Sequence, residues 1–83
     1  MNKHILLVMK WLNNKDSVSQ EELEKNKSEA CLWAGANTHA SYPACAAANY
    51  AAADWAACAS RWVDEYFKIT SEYRNEYEKE LEK

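Results

Sequence analysis

The sequence predicts an all-α protein forming one helical domain over residues 1–83. Three observations predict it. The chain has one glycine, Gly35, one proline, Pro43, and no alternating β-branched runs, so helix is favoured nearly everywhere. A block at 45–62, CAAANYAAADWAACASRW, consists mainly of alanine, the best helix former. Large apolar residues outside that block recur at helical spacing.

The first helix is expected from His4 to about Leu12. Ile5, Val8, Met9 and Leu12 share one side of it, and the turn formers Asn13 and Asn14 end it. The clearest local signal follows in VSQEEL. Ser19 can cap, Glu22 three residues on can complete a capping box, and Val18 can pack on Leu23 as a hydrophobic staple. Glu21 and Glu22 also complement the positive end of the helix dipole, so a second helix begins near Gln20.

The end of that helix is open to two readings. Gly35 to Asn37 suits a C-cap, and Ser41-Tyr42-Pro43 suits a restart with proline in the first turn. A bend or reversal between 35 and 43, giving an antiparallel hairpin, is the preferred reading. An unbroken helix over 20–69 is the alternative, and it needs partner chains along its length.

A third helix is expected from Ala44 to Lys68. At 100° per residue, Trp55, Ala59, Trp62, Tyr66, Ile69 and Tyr73 fall on one face, with Val63 beside them. Asp54, Arg61, Glu65, Lys68 and Glu72 form a narrow polar strip opposite, with Tyr50 nearby. The remaining positions are alanine, so most of the circumference demands cover that 83 residues can hardly provide. A homo-oligomer is therefore expected. The last helix opens around Thr70 or Ser71, carries Tyr73, Tyr77 and Leu81 four apart, and is otherwise charged. It is expected to be exposed with a thin docking stripe.

Charge narrows the partners. The net charge is −3, and residues 64–83 carry the imbalance, with seven acidic groups against four basic ones. A net-acidic chain without a basic stripe argues against long nucleic acid. The uncharged stretch from Ala30 to Ala53 is too polar for a membrane span, and MNKHILLVMKWL, interrupted at Lys10, reads as a mature cytosolic start. Cys31, Cys45 and Cys58 are odd in number and contain no C-x-x-C pair, so no disulfide framework is expected. His4 and His39 are the only histidines and offer no paired ligand spacing, so neither a metal, a cofactor nor a catalytic base is indicated.

What remains is a binding chemistry. Ser41-Tyr42, Asn49-Tyr50, Asp54-Trp55 and Arg61-Trp62 each place a polar residue before an aromatic one. Such pairs can stack on a nucleobase and hydrogen-bond it, although the same rings can simply fill gaps between alanine-rich helices. Trp55 and Trp62 are assigned to the core face. Arg61 is the only cation in the alanine block and reaches Asp54 only across two turns, which leaves it available to an anion.

The opening KHILLVMKWLNNKDSVSQEELEKN, the alanine block and the closing RWVDEYFKITSEYRNEY together resemble a group of short proteins of T4-like phages. That group in turn looks like the phage anti-CBASS cyclic-nucleotide sponges, helical-hairpin proteins that assemble as intertwined homohexamers. The resemblance implies a non-enzymatic protein of the host cytoplasm that sequesters cyclic di- or trinucleotide immune signals. A cyclic ADP-ribose-type signal is the alternative ligand. In that family an aromatic near the N-terminal helix stacks on a base and a lysine of the following helix meets a phosphate. Trp11, with Lys25 or Lys27, is placed for those roles; Tyr42 and Tyr50 would assist stacking, and Arg61 would meet phosphate. Pro43 is the candidate for the kinking proline that the family leads one to expect. A different class of function, inhibition of a host enzyme through the acidic last helix, also fits the charge distribution.

Overall fold

A computed structural model describes residues 1–34 and 40–83, with the side chains of 33 and 34 left aside. Its order is α1 (Lys3–Asn13), a 3-10 turn (Lys15–Ser17), α2 (Gln20–Ala34), α3 (Ser41–Ala52), α4 (Ala56–Thr70) and α5 (Arg74–Leu81). Among the described residues there is no strand.

The first two helices begin on side-chain caps. Asn2 Oδ1 accepts from the amides of His4 and Ile5 at 2.9 and 3.2 Å, closing the start of α1. The box at α2 is reciprocal: the Glu22 amide donates to Ser19 Oγ at 3.1 Å, and the Ser19 amide donates to Glu22 Oε1 at 3.4 Å. Val18 and Leu23 are both buried, as the staple requires. The α1–α2 packing is fixed by a buried polar pair. His4 Nδ1 lies 2.8 Å from Asn26 Oδ1, and Asn26 Nδ2 donates to the His4 carbonyl at 3.3 Å.

Helix α3 is the centre. It packs against α1, α2 and α4, and Ala44, Ala47, Ala48 and Ala51 are all 0% exposed. Alanine keeps neighbouring backbones close. At the hairpin the Cα atoms of Cys31 and Cys45 are 4.5 Å apart, and the two residues form a disulfide. This corrects the expectation that the cysteines form no disulfide. The antiparallel arrangement of α2 and α3 brings the last turn of one against the first turn of the other, whatever the sequence separation. Cys58 is free.

The single helix expected over Ala44–Lys68 is two helices. Asp54 stands at φ 58°, and around it the Trp55 amide donates to the Tyr50 carbonyl at 2.9 Å and the Asp54 amide to the Ala51 carbonyl at 3.0 Å. These are the two bonds of a Schellman closure, with aspartate where glycine is usual. Tyr50 and Trp55 supply its apolar contact, rings edge-to-face at 5.6 Å. The reversal lets α4 lie against α3, so the inward alanines are covered by the chain's own helices. Lack of such cover was the premise of the oligomer argument from sequence. The buried stripe of α4 is Ala59, Val63 and Tyr66, while Trp55, Ile69 and Tyr73 are exposed and Trp62 is half-buried. The expected core face is thus rotated, because the helix starts only after Trp55. The hairpin bend expected between 35 and 43 falls partly on residues 35–39, outside the described residues. Ser41-Tyr42-Pro43 does open α3.

Thr70 and Ser71 end α4 instead of starting α5. The Ser71 amide donates to the Phe67 carbonyl at 3.0 Å, with Ser71 at φ 60°. The turn carries Glu72 back to α4, where its carboxylate accepts from Tyr66 Oη at 2.7 Å and from Tyr77 Oη. Tyr77 Oη in turn accepts from the Asn2 amide at 2.7 Å. One carboxylate thereby ties α1, α4 and α5 together. Tyr77 is 1% exposed, so the last helix is anchored more deeply than its charged sequence suggests.

Opening the Cys31–Cys45 bond with a dithiol, or by Cys31→Ser, should lower unfolding free energy by about 3 kcal/mol, the loop-closure value for a ring of this length. Denaturant titration with and without reductant reads it. Burial, followed by the bond to Glu72, raises both the Tyr66 and Tyr77 phenol pKa values above the ordinary one. Folded pKa values above the unfolded value of about 10 give stability that is full below pH 10 and falls as pH rises beyond it. In an ultraviolet titration, two of the five tyrosines should therefore ionise only as helicity is lost.

Candidate functional site

The six residues singled out from sequence fall in separate places. Trp11, in the last turn of α1, is 3% exposed, and the Lys15 ammonium lies 5.2 Å from its ring centroid. No open face is left for a base to stack on. It sits beside the inward-facing Val8, so it is not the exposed aromatic that the stacking role implied by the resemblance calls for. Lys25 is exposed on α2, and Lys27 Nζ lies 3.8 Å from Glu24. Among the described residues neither stands over an aromatic ring.

The other three are associated with two aromatic pairs at opposite ends of α3. At its C-terminal end, half-buried Tyr50 supports Trp55, which is 57% exposed on the Asp54 turn. The charge there is already compensated, since Lys15 Nζ lies 3.5 Å from Asp54 Oδ1. An exposed pair of this kind contributes little stability, yet it supplies a counter-charge for Asp54 beside Trp55.

At the N-terminal end of α3, Tyr42 is 64% exposed, although Ser41 and Pro43 on either side of it are buried. Its ring meets Trp62 of α4 edge-to-face, centroids 5.6 Å apart at 74°. The two buried neighbours fix the backbone under Tyr42, and Trp62 limits the swing of its ring. The result is an aromatic platform held on two helices with a face open to solvent. Arg61 adjoins Trp62 in the chain, is exposed, and makes no ion pair among the described residues. A flat ring would find a stacking surface on Tyr42, and Arg61 is an uncommitted cation one residue from Trp62 along α4.

Helical phase puts Trp62 on the core face, and it is partly buried against the core, but its pairing with Tyr42 across the α3–α4 reversal gives it a second use that the sequence did not show. Lys15 was likewise missed, since its contacts with Trp11 and Asp54 depend on the fold of the 3-10 turn.

A cavity of about 360 Å³ between α1, α4 and α5 gathers none of the six residues. Among the described residues no group of three or more His, Cys, Asp or Glu could hold a metal ion, and no helix is long and apolar enough to cross a membrane. No protein-family model, curated protein or solved structure matches the chain.

Proposed function

We propose that the protein binds and sequesters a cyclic nucleotide second messenger, a cyclic di- or trinucleotide, without cleaving it, as the sponges it resembles do. The observation that carries this reading is the Tyr42–Trp62 pair with Tyr42 open to solvent, together with Arg61, next to Trp62 in the chain, exposed and without an ion-pair partner among the described residues. Stacking on such a ring is worth roughly 1–3 kcal/mol per base. A guanidinium adds a planar, two-donor contact to phosphate.

One platform meets one base. A cyclic dinucleotide presents two bases and two phosphates related by a two-fold axis, so two copies of the platform across a symmetric interface would match it. This is the support for assembly as a homo-oligomer, up to the intertwined hexamer of the resembling family, in which Lys25 and Lys27 would supply further cations from neighbouring subunits. Leu32, 83% exposed on α2, is an apolar residue that such an interface would cover. The reading places the protein in the host cytoplasm. Thiols there would open the Cys31–Cys45 bond, and the packing of α3 would then hold the hairpin unaided.

Calorimetry of the pure protein with cyclic di- and trinucleotides and with cyclic ADP-ribose isomers should give saturable binding to a member of the first group, with the ligand recovered intact after heating. Tyr42→Ala and Arg61→Ala, both at exposed positions, should each weaken binding about tenfold or more while leaving the melting temperature within a few degrees of wild type. Absence of binding to every cyclic nucleotide would overturn the proposal. Recovery of a cleaved product would make the protein an enzyme, and selective binding of a cyclic ADP-ribose isomer would replace the ligand class.

A further inference from the structure

We propose that the Cys31–Cys45 disulfide is a redox-active site that exchanges with a small thiol such as glutathione while the protein stays folded, and that the incoming thiol attaches to Cys31. The bond joins the last turn of α2 to the second turn of α3. Both of its residues are half-buried, whereas Ala30 and Ala44, the residues before them, are wholly buried. The α2–α3 seam is thus packed by alanines beside the bond, and the bond itself lies at the rim.

Two features set which sulfur is attacked. The first is access, because a thiolate approaches along the S–S axis from behind the sulfur it attacks. On α2, Ser28 and Leu32 near Cys31 are exposed; on α3, Ser41, Ala44 and Ala48 near Cys45 are all buried. The open side is that of Cys31. The second feature is the leaving group, since the sulfur not attacked departs as a thiolate and exchange is faster when that thiolate is more stable. On Cys45 it stands toward the N-terminus of α3, the positive end of the helix dipole. On Cys31 it would stand at the negative end of α2, whose last turn holds no basic residue. Lys27, one turn before Cys31, has its ammonium 3.8 Å from Glu24, toward the start of α2. Access and leaving group therefore agree on Cys31.

In the first step the glutathione thiolate bonds to Cys31 Sγ, the Cys31–Cys45 bond breaks, and its electron pair goes to Cys45 Sγ. A second glutathione thiolate then attacks the glutathione sulfur of this adduct, releasing glutathione disulfide and leaving Cys31 as a thiolate; each cysteine thiolate takes up a proton from water. Two glutathione thiols are oxidised to one disulfide and one protein disulfide is reduced. The reverse sequence, starting from glutathione disulfide, closes the bond again. None of this draws on the nucleotide reading, so the two proposals stand or fall separately.

The test is to incubate Cys58→Ser protein with reduced glutathione in the absence of denaturant, quench in acid at intervals and locate the adduct by peptide mass spectrometry. The same mapping on the wild type, with Cys58 read separately, controls for the substitution. The opening rate should rise linearly with glutathione concentration while helicity by circular dichroism is retained. Early adduct on Cys31 should exceed that on Cys45 by about threefold or more, the effect of roughly one pKa unit in the leaving thiol. Opening only in denaturant, a rate that levels off at that of global unfolding, or adduct on Cys45 equal to or above that on Cys31 would overturn the proposal.

Discussion

Helix α3 can occupy the centre of so small a protein because its inward positions are alanine. Ala44, Ala47, Ala48 and Ala51 are wholly buried, yet each contributes only a methyl group. Their contribution is proximity. Backbones of α1, α2 and α4 can approach α3 closely, and the larger side chains of the core, among them Ile5, Val8, Val63 and Tyr66, fill the space around that central rod. The same proximity allows Cys31 and Cys45 to bond, and allows the three-residue reversal at 53–55 to return α4 along α3. A larger residue at those positions would push every neighbour outward at once.

Small side chains give up apolar burial, and polar ties at the helix ends supplement what the core supplies. The Ser19–Glu22 box closes the start of α2, while the Asn2 cap, the His4–Asn26 pair and the Glu72 carboxylate bridging two phenols sit where one helix meets another. No buried side-chain nitrogen or oxygen of the described residues lacks a partner. Two of the reversals place a non-glycine residue, Asp54 or Ser71, in the left-handed region, and each aims an aromatic or acidic neighbour at its target. Trp55 is placed on Tyr50, and Glu72 on Tyr66 and Tyr77.

Helical content, the start of α2 and the restart at Ser41-Tyr42-Pro43 were legible in the sequence because their signals are local: a capping box, a staple, a proline in a first turn. The break at Asp54 was not, because the sequence offers no glycine there and alanine on both sides argues for continuity. Once that break is missed, the phase of α4 and the cover of α3 are misread together. This is why Trp55 was assigned to the core and why cover for α3 was sought in partner chains rather than in α4. Trp11 was named from the resemblance alone, and its burial beside Val8 on the inward side of α1, with Lys15 over its ring, does not suit that role. Tyr42 and Arg61 could be named from their composition and spacing, but their association through Trp62 needed the fold.

The surface feature of interest depends on α3 being central, because the Tyr42–Trp62 pair forms where α3 and α4 lie side by side. The most direct test is a pair of alanine-to-leucine substitutions read by denaturant unfolding. Ala47→Leu, at a fully buried position of α3, should cost about 1–3 kcal/mol, whereas Ala57→Leu, at an exposed position of α4, should change stability by under about 0.5 kcal/mol. Equal tolerance of leucine at both positions would contradict the account, because it would mean that nothing is packed tightly against α3.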